Sequence, residues 1–155
     1  PGVYFDILPT HLIPRIDGLD RVIHEIGAIS PGRVGDCERP WYMHPQQDDN
    51  LMVLHGKRHV DIYLPSYGKV EQFVVTPHYI EKNGEKIYEG AAMLVWPKGV
   101  FHRIRSDDEG SASLNFAVRY DRFDIKTNFN IYNLNEKDGS FYVIRDGYLD
   151  QFDYQ

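Results

Sequence analysis

The segment from Ala92 to His102 constrains the fold of this chain more than any other. Four residues typical of a buried strand, Ala92-Met93-Leu94-Val95, lead into Trp96-Pro97-Lys98-Gly99, and His102 follows after two further residues. The proline and glycine interrupt a strand and favour a tight turn, so the segment predicts a strand, a turn and a second strand that carries His102. An imidazole held at a strand end is well placed to serve as a metal ligand or a general base.

The remaining chain is dominated by short strand-like segments separated by turn residues. Asn83-Gly84 is the strongest hairpin signal, and a second hairpin is predicted around Asp138-Gly139. Residues 16–26 show only weak helical periodicity and contain Gly18. Many short strands joined by Gly, Pro and Asn turns predict an all-β sandwich or barrel with little helix.

A third turn, a two-residue hairpin loop, is predicted at Gly56-Lys57. Pairing of the flanking strands then gives one aliphatic face that ends at Asp49. That face is expected to pack in the core, so Asp49 would lie where an apolar wall meets the mouth of a pocket. On the later strand, His102 shares a face with Val100 and Ile104 and is expected to point inward.

Composition limits the partners and the compartment of the chain. A single domain spanning residues 1–155 is expected, because 155 residues with 42% hydrophobic side chains suffice for one core. The net charge of −6 argues against nucleic acids and anionic membranes as partners, and no apolar run is long enough to span a bilayer. The first residues lack the features of a secretory signal and Cys37 is the only cysteine, so a cytoplasmic location without disulfides is expected.

Residues 90–102 resemble the second of the two sequence motifs of the cupin superfamily. That motif consists of a Gly, an apolar strand, Pro-x-Gly, two further residues and a His, and Gly90 to His102 follow this order. There are two departures from it. The interval between Gly90 and Pro97 is one residue longer than usual, and Ser106 stands where Asn is common.

Residues 42–56 resemble the first cupin motif, a His-x-His pair followed by an acidic residue and a Gly. One of the two imidazoles is missing, and two alignments remain open. If Asp49 takes the acidic position, His44 is the second His and Tyr42 replaces the first. If His44 is the first His, Gln46 replaces the second and Asp49 or Asn50 takes the acidic position.

The resemblance implies a cupin-type double-stranded β-helix, a jelly-roll barrel, with residues 34–120 as its motif-bearing core and terminal strands added. It implies a pocket whose candidate metal ligands are His44, Gln46, Asp49 and His102, and whose candidate catalytic residues are His44, His102 and Tyr42. A divalent iron, manganese, nickel or zinc ion would then serve an oxygenase, isomerase or lyase that acts on a small oxygenated compound.

Other functions fit the same resemblance. The segment Met43-His44-Pro45-Gln46 is also faintly similar to deoxysugar-nucleotide epimerases, in which a His paired with an Asp removes a proton beside a ketone without a metal. A non-catalytic cupin that binds a sugar or another small molecule is a further alternative, so catalysis itself is left open. Because cupins commonly pair through a sheet, a homodimer is expected, with residues 3–13 as the candidate exchanged or edge strand.

Overall fold

A computed structural model describes residues 2–3, 10–11 and 13–151, and this part of the chain is all-β. Its helices are α1, Ile125–Asn128, and one 3₁₀ turn, Gly147–Asp150, so the expectation of an all-β protein with little helix is confirmed. Most of the segment 3–13, the candidate exchanged strand, lies outside the described residues. The strands in chain order are β1 Gly18–His24, β2 Ile29–Ser30, β3 Trp41–Met43, β4 Gln47–Leu64, β5 Lys69–Val75, β6 Tyr79–Lys82, β7 Glu85–Glu89, β8 Met93–Trp96, β9 Phe101–Arg119, β10 Ile131–Leu134 and β11 Phe141–Arg145.

Two long strands, β4 and β9, form the framework of the molecule. They pair antiparallel over nearly their whole lengths, with register shifts around Gly56. Although His102 on β9 pairs with Ile62, its Nε2 atom lies 3.9 Å from the Asp49 carboxylate near the start of β4. The two halves of this strand pair therefore fold over each other, and a cavity lies between them.

The other strands extend this framework on both sides. The hydrogen-bonded order is β11-β10-β3-β9-β4-β5-β6-β7, while β1 and β2 pair with β9 and β8 pairs with β4. Among the described residues, β11 and β7 end this order without pairing to each other, so the sheet is open. Strands β1, β2, β10 and β11 lie outside residues 34–120 but belong to the same sheet.

The predicted hairpin at Gly56-Lys57 does not form, because Gly56 lies in the middle of the continuous strand β4. Gly56 has a φ of +69°, the backbone conformation that suggested a turn. A Cβ atom at this position would lie 2.1 Å from the carbonyl oxygen of Gly110 on β9. The glycine therefore serves a bulge and a close approach between two strands, and the residues on either side of it pair with β9 rather than with each other.

Residues 16–26 do not form the helix that their weak periodicity suggested; they contain strand β1, in which Asp20, Val22 and His24 face the cavity. Local sequence determines the two hairpins more directly. The β6–β7 hairpin turns at Asn83-Gly84 as predicted, and β10 and β11 form the predicted C-terminal hairpin. None of the described helices has the length and apolar character needed to cross a membrane.

Two groups of buried side chains form the core. The first packs against the cavity, since Leu51 and Trp96 belong to both. The second lies between β3, β4, β9 and β10 and consists of aromatic residues with one leucine: Trp41, Tyr63, Phe101, Tyr132 and Leu134. The cavity wall is therefore backed by close-packed side chains, which hold its polar groups in fixed positions.

Candidate metal centre

The cavity between the two halves of the β4–β9 pair has a volume of about 340 Å³. It is lined by residues of β1, β2, β3, β4, β8 and β9, by Phe129 after α1 and by Gln151. Its polar lining residues are Asp20, His24, Ser30, Tyr42, His44, Gln47, Asp49, Arg58, Trp96, His102, Ser113, Asn115 and Gln151.

His44, Asp49 and His102 meet at one end of this cavity, and all three are buried. The Nε2 atoms of His44 and His102 lie 3.2 and 3.9 Å from Oδ2 of Asp49. One ligand atom from each residue lies within 4.8 Å of the other two. Two nitrogen or oxygen ligands that share one ion at about 2.1 Å are themselves about 3 to 4 Å apart, so these spacings suit a bound ion.

Each imidazole is oriented by its other nitrogen. Nδ1 of His44 donates a hydrogen bond to the carbonyl oxygen of Asn128 at 2.5 Å, and Nδ1 of His102 lies 3.3 Å from the carbonyl oxygen of Val100. With Nδ1 engaged in this way, Nε2 is the ring atom that faces Asp49 on both histidines. Hydrogen bonding of this kind is how proteins orient histidine ligands toward metals.

The carboxylate of Asp49 is oriented in the same way. Its Oδ1 atom accepts hydrogen bonds from Nε2 of Gln47 at 2.9 Å and from Nδ2 of Asn115 at 2.8 Å. Gln47 is in turn held by Arg119 and Asn128, which donate to its Oε1 atom at 3.2 and 3.3 Å. With Oδ1 occupied, Oδ2 is the atom directed at the two imidazoles.

The electrostatics of the cluster follow from burial and from these contacts. Burial alone would raise the pKa of Asp49, but the neighbouring His44, His102 and Asn115 hold that pKa below its ordinary value. Burial opposes charge on His44, yet Asp49 and the Asn128 carbonyl raise its pKa. Burial and the nearby His44 lower the pKa of His102 to about 4. Without a metal, one proton is thus held between His44 and Asp49, and a metal ion would displace it.

The structure distinguishes between the two alignments that the sequence left open for the first motif. Asp49 belongs to the cluster, whereas Asn50 donates to the carbonyl oxygen of Phe116 and does not line the cavity. Gln46 does not join the cluster either, because its Oε1 atom accepts a hydrogen bond from Lys98 at 3.0 Å. Strand β4 begins at Gln47, and its alternation turns residues 47, 49 and 51 to the cavity and residue 46 away from it.

Tyr42 on β3 lines the cavity beside the two histidines. Its ring centroid lies 6.3 Å from that of His44 and 6.0 Å from that of His102, so it neighbours the cluster without joining it. Burial raises the pKa of its phenol, which keeps the hydroxyl protonated at neutral pH.

Sequence reasoning missed Gln47, Asn115 and Asp20. Gln47 was detectable from the period of two, because it precedes Asp49 by two residues on the same strand. Asn115 and Asp20 reach the cavity only through the non-local pairing of β9 with β4 and β1, for which the local sequence carries no signal.

The ligand atoms of this cluster suit particular metal ions. Two imidazole nitrogens and one carboxylate oxygen form the ligand set of many non-haem iron sites and also suit zinc, manganese and nickel. Three protein ligands on one side leave positions open toward the cavity. The residues present therefore fit a divalent metal ion with room for a small molecule beside it.

No protein-family model, curated protein or solved structure matches this chain.

Proposed function

We propose that His44, Asp49 and His102 bind a divalent metal ion and that the chain is an enzyme acting on a small oxygenated compound. The observation that carries this proposal is the convergence of three buried ligand atoms of suitable type within 4.8 Å at the wall of a cavity. The hydrogen bonds that orient all three side chains support it, because a structural cluster has no need to keep both Nε2 atoms and Oδ2 directed at one point.

A divalent ion bound here supplies Lewis-acid chemistry, the polarisation of a carbonyl or the activation of water or oxygen, and iron, manganese, nickel and zinc are the candidates. The chain itself supplies the environment. Asp49, fixed by Gln47 and Asn115, contributes the negative charge. Tyr42 presents a protonated phenol to the cavity, where it is positioned to donate a hydrogen bond or a proton to a substrate oxygen.

We further propose that the fold is a cupin-type jelly roll in a single domain. Three features support this: the two facing halves of the β4–β9 pair, the cavity between them, and His102 placed directly after the Pro97–Gly99 turn. In such an arrangement the ligands come from different strands around one cavity, as Asp49 and His102 do here.

A metal-free enzyme of the deoxysugar-epimerase type is the second candidate, favoured by the direct contact between His44 and Asp49. One feature argues against it. Both ring nitrogens of His44 are engaged, Nδ1 with the Asn128 carbonyl and Nε2 with Asp49, so neither faces a substrate proton. A non-catalytic binding protein would use the same cavity. Measurement of the metal content is the first step in distinguishing these candidates.

The test is elemental analysis of protein purified without added metal and again after loading with iron(II), manganese, nickel or zinc. We expect close to one bound ion per chain in the wild type and less than about a tenth of that in Asp49→Ala. His59→Ala is the matched control, because His59 bonds to Asp107 outside the cavity. A wild type that binds none of these metals, or an Asp49→Ala variant that retains the ion, would overturn the proposal.

A further inference from the structure

A second set of polar side chains in the cavity centres on Arg58, which takes no part in the cluster of His44, Asp49 and His102. Arg58 lies on the second half of β4 and is 1% exposed. Its Nε atom donates to Oγ of Ser111 at 2.7 Å, Nη2 donates to the carbonyl oxygen of Val22 at 3.0 Å, and Nη1 lies 3.5 Å from Nε2 of His24. All three acceptors are neutral, and a guanidinium carries five N–H groups, so two remain without a partner here.

The charge of Arg58 has no counterion in the described part of the chain. No Asp or Glu described by the structure forms an ion pair with it. His24 is no counterion, because an imidazole is either neutral or positively charged; burial and Arg58 lower its pKa to about 4, so it is neutral at pH 7. Burial lowers the pKa of Arg58 to about 10, which still leaves it charged at neutral pH. A buried charge is usually paired, so an unpaired one facing a cavity indicates an anionic ligand.

Two more buried groups lack a partner in the same cavity. The Oγ atom of Ser113, which is 1% exposed, and the Nε1 atom of Trp96 have no hydrogen-bond partner among the described residues. Both residues line the cavity with Arg58. Buried polar atoms are nearly always satisfied, so an exception in a cavity wall marks a place where a bound molecule can supply the missing partner. This second observation is independent of the charge.

The two polar groups are separated by an apolar stretch. Arg58 pairs with Ser106 on β9, four positions along that strand from His102, so the two groups enter the cavity at different points of the same strand pair. Val22, Leu51 and Ile104 line the cavity as apolar walls. A volume of about 340 Å³ is at the small end of the range for ligand sites. The cavity therefore fits a short molecule with an apolar middle and two polar ends.

The number of cationic side chains in the cavity limits the kind of anion that it can bind. Arg58 is the only Lys or Arg among the residues described as lining the cavity, which also contains the carboxylates of Asp20 and Asp49. Neither carboxylate forms an ion pair with Arg58, and Asp49 contacts His44 and His102 instead. One cation with one hydroxyl suits a singly charged carboxylate, whereas a phosphate dianion would lack a second cation.

We propose that Arg58 and Ser113 bind the carboxylate of a small organic acid whose other, oxygen-bearing end reaches the His44–Asp49–His102 cluster. The first half of this proposal stands on the Arg58 group alone. The second half rests on the metal-dependent function proposed above. The substrate class is accordingly a short aliphatic oxo or hydroxy acid, oriented with its carboxylate away from the metal ligands.

The carboxylate subsite is tested on metal-free protein, dialysed against EDTA, by calorimetric titration with pentanoate and with pentanamide at constant ionic strength. These probes have the same shape and differ in charge. We expect pentanoate to bind at least tenfold more tightly than pentanamide to the wild type. We expect this preference to vanish in Arg58→Gln and to persist in His102→Ala, which changes the opposite end of the cavity.

Ser113→Ala keeps the test decisive if Arg58→Gln does not fold, because Ser113 has no hydrogen bond within the described chain to lose. Pentanoate should bind this variant at least threefold more weakly than it binds the wild type. Equal affinity of the wild type for pentanoate and pentanamide would overturn the subsite, and unchanged pentanoate binding by Ser113→Ala would overturn the role of Ser113.

The orientation of the ligand is tested with 4-oxopentanoate, which adds a ketone to the pentanoate chain. We expect metal loading to tighten 4-oxopentanoate binding at least tenfold and to leave pentanoate binding within twofold. Equal effects on both probes would overturn the link to the metal cluster. The two proposals can fail separately. If the protein binds pentanoate through Arg58 but binds no metal, only the metal-dependent function is overturned. If it binds a metal but shows no preference for pentanoate over pentanamide, only the carboxylate subsite is overturned.

Discussion

The Nε2 atom of His44 and the Oδ2 atom of Asp49 lie 3.2 Å apart in a buried cluster, each oriented by hydrogen bonds through the other polar atom of its own side chain. The proposed metal would change how this pair is held. A proton holds it together in the metal-free protein, whereas a cation would take the place of that proton in the loaded protein. The same contact thus supports metal-dependent stability and competition between metal and protons.

Replacing His102 with alanine should abolish most of the stabilisation that a bound metal provides. A ligand present at a hundredfold excess over its Kd stabilises the folded wild type by about 2.7 kcal/mol, and a variant that lacks one of three ligands should lose most of this gain. Thermal unfolding with and without added zinc or manganese measures the difference. His59→Ala should keep the full metal-dependent increase in Tm, and an equal increase in His102→Ala would contradict the assignment.

Asn115→Ala should weaken metal binding without removing a ligand. Asn115 donates to Oδ1 of Asp49, and loss of such an orienting partner typically costs ten- to hundredfold in metal affinity. Competition with a chromogenic chelator measures the change. Asn133→Ala is the control, since Asn133 bonds to Tyr142 far from the cavity on β10, and its affinity should equal that of the wild type. Equal affinities in both variants would show that Asp49 does not need this contact.

The stability of the metal-free protein should fall with acidification in part through His24. Its pKa is about 4 in the folded state against 6.5 for an unperturbed histidine, so between these pH values the unfolded chain binds the extra proton. The free energy of unfolding therefore rises with pH across this window, by on the order of 3 kcal/mol from this residue. Urea unfolding at pH 7 and pH 4.5 should show a smaller loss in His24→Gln. Identical losses in both proteins would refute the prediction.

Gly56→Ala should destabilise the fold severely. The added Cβ atom would lie 2.1 Å from the Gly110 carbonyl oxygen, in backbone that also has a φ of +69°. Gly68 provides the matched control, because its φ is +64° but an added Cβ would meet nothing within 4 Å. We expect about 1 to 2 kcal/mol for Gly68→Ala from the backbone alone and more than about 4 kcal/mol for Gly56→Ala. Similar midpoints of urea unfolding would mean that the strands can separate without cost.

A homodimer remains a proposal that the outer surface of β1 supports. Leu19 and Ile23 on its outward face are 58% and 60% exposed, and β9 is the only strand that the structure describes as paired with β1. Exposed apolar side chains on an unpaired edge favour association. Light scattering at micromolar concentration should give twice the chain mass, and Ile23→Lys should give the monomer mass. A monomeric wild type would count against the dimer.

Sequence reasoning was most successful where structure follows from local chemistry. Asn83-Gly84 produced its hairpin, and the Pro97–Gly99 turn placed His102 on the inward face beside Ile104. It was less successful at Gly56, because a positive φ suits both a hairpin and a bulge, and only the distant Gly110 decides between them. The burial of Arg58 follows from that same bulge, which alters the alternation of the strand beyond it.

The pairing of β4 with β9 also has a consequence for the order of folding. Asp49 and His102 lie on strands that meet only when distant parts of the chain associate, as in the contact of Gln47 with Arg119 across 72 residues. Folds dominated by such long-range contacts form in milliseconds to seconds, far more slowly than helical proteins of this size. At the proposed site, a metal ion would therefore bind to a newly made chain only in the last step of folding, after the two halves of the long strand pair have closed over the cavity.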